Sequence, residues 1–239
     1  GNRCDRFLAG VAYVDGQRPT LIMARGYYGP RSGYSARNEI AAYNWRDDTL
    51  TRVWYFQAHT SGPYSDYIGQ GCHSLSVADV DADGKDEIVY GSCTIDDDGT
   101  GLYSTGLGHG DALHVSDMDP DRPGLEVWMP HESSPYGASF RDAGTGAVIY
   151  RYTAGGDTGR GCAGDITADY RGYETWASSG VPMSTCTGVD LGGHSNPINF
   201  MVWWDGDLLR EFLDGVTVSK YGSPVSQLYA GGCSSNNGS

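Results

Sequence analysis

Acidic residues at alternate positions are the first sign of chemistry in this sequence. Asp79, Asp81 and Asp83 take positions 1, 3 and 5 of a short loop, Gly84 supplies its turn, the carbonyl of Lys85 falls at position 7 and Glu87 at position 9. Oxygen ligands spaced in this way wrap a cation of calcium's size and flexible coordination. An EF-hand needs Glu at position 12, where this chain has Tyr90, so the expectation is a short loop between strands. A second copy supplies Asp117, Asp119, Asp121 and Glu126, with one extra residue before the Glu. A third supplies Asp165, Asp169 and Glu174, but Thr167 replaces the middle carboxylate, and one charge fewer means weaker attraction for a dication. Asp96, Asp97 and Asp98 fit both a solvated turn and a partial metal site, because neighbouring side chains of an extended chain face opposite ways.

Two further groups could move protons or carry charge. His109 lies between Gly108 and Gly110, glycines that let backbone approach a ligand closely, and Asp111 two residues on shares its face of an extended strand. That pair suits metal ligation or proton transfer, and equally a packed His held by its Asp. The pair His131–Glu132 is similar but less specific, and His59, His73, His114 and His194 have no distinguishing context. Arg160, between Gly159 and Gly161, has an uncrowded guanidinium able to meet a carboxylate bidentately; the plainer alternative pairs it with Asp157 or Asp165.

The elements that position these groups repeat. The loops at Asp117 and Asp165 run in step, the loop at Asp79 is one residue shorter, and a degenerate copy from Ala12 to Ile22 keeps the flanking apolar runs without the acidic triad. Hairpin signatures follow: Ala41 to Trp54, Phe140 to Tyr152 and Val202 to Leu213. Strand, loop, strand and hairpin recurring every ~40 to 50 residues describe the four-stranded blade of a β-propeller. About four blades are visible, with the start of another at Val225 to Tyr229. The fold class expected is therefore all-β, a β-propeller of four to five blades with calcium-binding loops, residues 1–239 being a segment of a single propeller domain.

Bulk properties narrow the partners. Thirty acidic against 16 basic residues give a net charge of −14, and the only lysines are Lys85 and Lys220, which excludes a nucleic-acid partner. Such a surface repels an acidic polysaccharide unless divalent cations bridge the two. No apolar run approaches the ~20 residues of a membrane span. Six scattered cysteines, Cys4, Cys72, Cys93, Cys162, Cys186 and Cys233, lack any Cys-x-x-Cys pair and are expected to form up to three disulfides in a secreted, extracellular protein.

Several stretches resemble a known family. Gly1-Asn2-Arg3 through Gly10, Met23 through Tyr28, Val77 through Glu87, Tyr103 through Asp111, Phe140 through Gly146, Gly159-Arg160-Gly161, Trp203 through Arg210 and Cys233 through Gly238 are similar to the rhamnogalacturonan lyases of polysaccharide lyase family 11. The likeness implies an eight-bladed, calcium-rich propeller, monomeric when full length, that cleaves the rhamnose–galacturonate linkage of the acidic pectic polysaccharide rhamnogalacturonan I by β-elimination. It implies that this chain covers the middle of a longer catalytic module and, as written, is not a complete enzyme. Arg160 then neutralises charge in the substrate cleft, Asn236, Asn237 and Gly238 line the substrate site, and a Lys beyond Ser239 accepts the proton, with His109 the second choice. The expectations from other classes are a calcium-dependent lectin and an adhesion propeller with structural loops.

Overall fold

A computed structural model describes residues 7–28, 37–223 and 226–228. Five four-stranded antiparallel sheets follow one another along the chain. The first holds β1 (Phe7–Ala12), β2 (Thr20–Arg25), β3 (Asn38–Arg46) and β4 (Thr49–Ala58), and the second β5 (Ser76–Ala78), β6 (Glu87–Val89), β7 (Cys93–Ile95) and β8 (Gly101–Ser104). The third holds β9 (His114–Ser116), β10 (Glu126–Pro130), β11 (Ala138–Asp142) and β12 (Val148–Tyr152). The fourth holds β13 (Gly161–Gly164), β14 (Glu174–Ala177), β15 (Met183–Thr185) and β16 (Asp190–Gly192), and the fifth β17 (Phe200–Val202), β18 (Glu211–Asp214), β19 (Thr217–Ser219) and β20 (Ser226–Leu228). One 3₁₀ turn, Ser65–Tyr67, is the sole helical element among the described residues.

Each sheet is a meander in which sequence neighbours pair. The expected parsing needs two corrections. Val202 to Leu213 is not the closing hairpin of the Asp165 unit but the first strand pair of a fifth sheet, and that unit closes instead with β15 and β16. The segment Val225 to Tyr229 contributes β20, the last strand of that same sheet rather than the start of another. Among the described residues the sheets do not close into a ring.

Burial explains the layering. β6, β10 and β14 are buried at every position, as strands covered on both faces must be, whereas β2 alternates buried and exposed because only one face of the first sheet is covered. Four apolar cores fill the four gaps between five sheets. Ile22, Ile40, Phe56, Ile88 and Ile95 join the first two sheets, and Val89, Val127 and Met129 join the second and third. Trp128, Phe140 and Ala177 join the third and fourth, and Trp176, Met183 and Phe212 the fourth and fifth.

The same cores rule out disulfides among the four described cysteines, where up to three in the whole chain were expected. Cys93, Cys72, Cys186 and Cys162 are free, buried thiols, and each sits in a different core, so whole sheets separate them. Cys4 and Cys233 lie outside the described residues.

Candidate active site

Every sheet has two edges where chain reverses direction, and they carry different residues. At one edge lie the segments that enter each first strand and leave each second strand. At the other lie the loops joining first strand to second, where the acidic residues stand.

The first edge gathers residues distant in sequence. His73 precedes β5, His109 and Asp111 precede β9, and Glu132 follows β10. Backbone bonds lock these segments together: Cys72 bridges Gly110 in parallel, and Glu132 N–H donates to the His109 carbonyl at 2.9 Å. Gly110 is required there because a Cβ would collide with the Pro130 carbonyl; the glycine serves an approach of backbone to backbone, not to a ligand. Asp111 Oδ1 lies 3.2 Å from His73 Nδ1 and 3.6 Å from His109 Nε2, and Glu132 Oε1 lies 4.0 Å from the same Nε2.

The protonation of His109 follows from its contacts. Nδ1 sits 2.6 Å from the Gly71 carbonyl, which can only accept, so Nδ1 carries a hydrogen, and Nε2 faces the carboxylates. The ring is 4% exposed and stacks on Tyr27 with centroids 5.0 Å apart. Both His109 Nε2 and Asp111 Oδ1 are buried without a hydrogen bond. A ring nitrogen facing carboxylates in a site closed to water is completed by a proton on that nitrogen or by a cation shared with His73 and Asp111. The Asp111 carboxyl is held below its usual range first by the hydrogen-bonding His109 ring, against the opposing effect of burial, with further help from the charges of His73, His109 and Arg160.

Arg160 reaches this edge just before β13. Neither Asp157 nor Asp165 pairs with it: Asp157 Oδ1 accepts the Gly159 N–H at 2.6 Å, and Asp165 Oδ1 has no hydrogen bond. Its Nη1 lies 3.5 Å from Asn199 Oδ1, and Asn199 in turn donates to Asp214 at 2.6 Å. The loop is fastened on two sides. Thr158 N–H donates to the His131 carbonyl at 3.1 Å, while Ser178 donates to the Thr158 carbonyl and Ser179 to the Asp157 carbonyl. The guanidinium thus stands on a braced turn beside the His–Asp cluster.

The opposite edge repeats one device. In four sheets the second strand begins with a Glu almost wholly removed from solvent, and its Oε2 accepts a loop N–H: Val80 to Glu87, Met118 to Glu126, Ile166 to Glu174 and Trp204 to Glu211. In all four, Oε1 has no hydrogen bond. The first sheet has Thr20 in that place, bonded to Asn44, which is why its loop lacks the acidic set. Burial, with Asp81, Asp96 and Asp79 nearby, pushes Glu87 up to about 8, and burial pushes Glu174 up to about 7.

The loops differ in how far their acids converge. Asp79, Asp81 and Glu87 bring one oxygen each within 4.8 Å of the others, as do Asp83, Glu87 and Asp97, with the Lys85 ammonium between Asp83 and Asp97. Asp117, Asp119, Asp121 and Glu126 form no such trio; Arg122 turns to Glu126 and Asp142, and Arg171 pairs with Asp121 at 3.0 Å. Asp165, Asp169 and Glu174 also stay apart. Sequence reasoning missed His73, whose partner Asp111 lies far along the chain, and it missed the fourth loop with Asp205, Asp207 and Glu211, read as a hairpin turn. Asn236, Asn237 and Gly238 lie outside the described residues.

Residues 1–239 match the description "Rhamnogalacturonan lyase family 11, C-terminal domain". The chain belongs to this family. Among family 11 proteins, the rhamnogalacturonan endolyase YesW of Bacillus subtilis strain 168 is 51% identical over 245 residues, covering 100% of this chain and 38% of the relative. The exolyase YesX of the same organism is 51% identical over 224 residues, covering 90% and 35%. The crystal structure of YesW superposes with a TM-score of 0.89 at 50% identity, covering 100% of this chain and 40% of that one. A rhamnogalacturonan lyase of Bacillus licheniformis gives the same TM-score at 53% identity and the same coverage. The chain therefore spans well under half the length of these family 11 relatives.

Proposed function

We propose that this chain is a segment of a β-propeller lyase that cleaves the rhamnose–galacturonate linkage of rhamnogalacturonan I by β-elimination. The observation that carries the reading is the meeting, on one edge of the sheets, of a cluster of His73, Asp111 and the buried His109 with a braced arginine that bonds Asn199 and whose charge reaches Asp111. β-Elimination removes the proton on the uronate carbon beside the carboxylate and expels the glycosidic oxygen from the next carbon. That proton becomes acidic only if the negative charge spreading into the carboxylate is stabilised. A divalent cation held by His73, His109, Asp111 and Glu132 would supply positive charge toward that group. Arg160, protonated at all working pH values, would orient the carboxylate bidentately and neutralise it. His109 is the second choice of proton acceptor, because burial keeps its ring from a polymeric substrate. The base is then the Lys that the family resemblance places beyond Ser239, with Asn236, Asn237 and Gly238 lining the substrate site.

The propeller reading is supported by the contacts of first strands, β1 with β5, β5 with β9 and β13 with β17, which place them together at an inner side. Phe7, Val11, Leu21, Met23 and Tyr55 leave one face of the first sheet apolar and exposed, as a blade facing a neighbour would be. Eight blades in the longer protein, and residues 1–239 as one segment of that ring, fit the coverage of the relatives. Calcium is proposed as a structural cofactor of the loops at Asp79, Asp117 and Asp165, where Oε1 of Glu87, Glu126 and Glu174 is buried without a hydrogen bond and would suit an oxygen-bound cation, although Arg122 stands 3.8 Å from that of Glu126. The partner is an acidic polymer, with nucleic acid disfavoured by charge; no helix among the described residues is long and apolar enough to cross a membrane. An extracellular, monomeric full-length protein is proposed from the nature of that polymer, disulfides no longer adding support.

The test is release of unsaturated uronate from rhamnogalacturonan I by the full-length protein, read as new near-ultraviolet absorbance. Glycan binding without that absorbance would instead make the chain part of a lectin.

A further inference from the structure

The residue that faces each buried loop Glu across the second and third strands differs from sheet to sheet. Glu126 pairs with Asp142, and Glu174 with Thr185. The pairing of Ile88 with Ile95 sets Glu87 opposite Asp96, and that of Phe212 with Ser219 sets Glu211 opposite Lys220. One position thus carries an acid twice, a hydroxyl once and, in the fifth sheet alone, a base.

The consequence is visible in the loop itself. Lys220 Nζ lies 2.9 Å from Asp205 Oδ2 and 3.4 Å from Glu211 Oε1, and it also pairs with Asp207. It therefore sits among all three carboxylates that could together hold a metal. Glu211 is 3% exposed, and its Oε1 accepts no hydrogen bond, so a buried acceptor is aimed at the place the ammonium fills. The only other lysine behaves differently: Lys85 comes from within its loop and bridges Asp83 to Asp97, leaving Asp79 and Asp81 facing Glu87 without it.

We infer that the loop of Asp205, Asp207 and Glu211 is a cation site whose resident cation is the Lys220 ammonium, and that removing this amine opens it to a divalent ion of the calcium class. An ammonium offers three donors to three carboxylates. It also repels a dication at contact distance. The fifth sheet thereby keeps the acidic-loop architecture while standing outside metal control.

Calcium bound per chain, measured by elemental analysis of the full-length protein after equilibration and gel filtration, decides the matter. Lys220→Met should gain one calcium over the unmodified protein, and Lys220→Arg none. Terbium placed there should be excited by the neighbouring Trp203 and Trp204, giving emission above that of the unmodified protein. Asp207→Asn, with Lys220 retained, should leave the calcium count unchanged, and it decides alone if Lys220→Met does not fold. Loss of one calcium in Asp207→Asn, or no gain in a folded Lys220→Met, would overturn the inference. These are differences between variants, so they do not depend on whether the other loops bind calcium or on the catalytic reading.

Discussion

The two edges of the sheets solve opposite problems with the same strands. At the loop edge each acidic set is drawn from within one sheet, chiefly from one short stretch and the strand that follows it, as when Glu87 Oε2 accepts the Val80 N–H at 2.7 Å. At the other edge the cluster is drawn from the connections between sheets, and His73 meets Asp111 only because two sheets pack side by side. The repeated edge holds each sheet together, whereas the edge built from unrepeated segments concentrates the groups suited to chemistry. Duplicating a sheet copies the first kind of site but not the second, which depends on what stands next door.

That division can be broken most sharply at Arg160. Arg160→Ala in the full-length protein should lower turnover by roughly 10²-fold or more, the scale of one lost charge-stabilising donor. Its melting temperature should stay within about 1 °C, because a surface substitution with no buried partner typically changes stability by no more than ~0.5 kcal/mol. A large melting shift with turnover retained would place Arg160 among the structural groups instead.

If the proposed cations are bound, chelation should act at both edges, with the loop edge dominating its effect on stability. Removing a ligand held at a hundred times its Kd costs about 2.7 kcal/mol per site, so melting should fall clearly in excess chelator. Unchanged melting, followed by calorimetry, would mean that the loops are solvated acidic turns.

The pH dependence sharpens the point. Glu87 is raised to about 8 and Glu174 to about 7 in the folded, metal-free chain, while unfolded Glu titrates near 4.5. A group with a raised folded value contributes stability that is lost as pH climbs through that value. In chelator the protein should therefore melt lower at pH 9 than at pH 7. Saturating calcium should remove this dependence. Thermal melts in the two conditions at both values check it, and identical slopes would show that no cation meets these carboxylates.

The smallest effect separates the loops from each other. Asp81→Ala should cost more stability in calcium than Thr167→Ala, by about 1 to 2 kcal/mol, since it removes a charge from the most converged set. Denaturant midpoints showing the reverse order would invert the ranking.

The division also decides what could be read from the chain in advance. The alternating acids at Asp79, Asp117 and Asp165, the strands around them and the hairpins at Ala41 and Phe140 are local, and local spacing is what a sequence displays. The fourth loop escaped because Asp205 and Asp207 sit beside Trp203 and Trp204, which mimic the aromatic strand of a hairpin. His73 carried no signal at all: nothing within several residues distinguishes it, and only sheet packing brings it to Asp111. The glycine before Asp111 was noticed for the wrong reason, its space being taken by the Pro130 carbonyl. The disulfide expectation failed for Cys72, Cys93, Cys162 and Cys186 because cysteine count says nothing about which core each thiol enters.

Those four buried thiols make the chain its own reporter of motion. Burial pushes Cys72 and Cys186 up to about 11 and Cys162 to about 12, and raises Cys93 as well, so none is a ready nucleophile while its core is shut. Alkylation in native buffer must then wait for local opening, and each reaction is tied to one gap between two particular sheets. Peptide mapping after timed alkylation would rank the four gaps by how often each comes apart, with no label added and no residue changed.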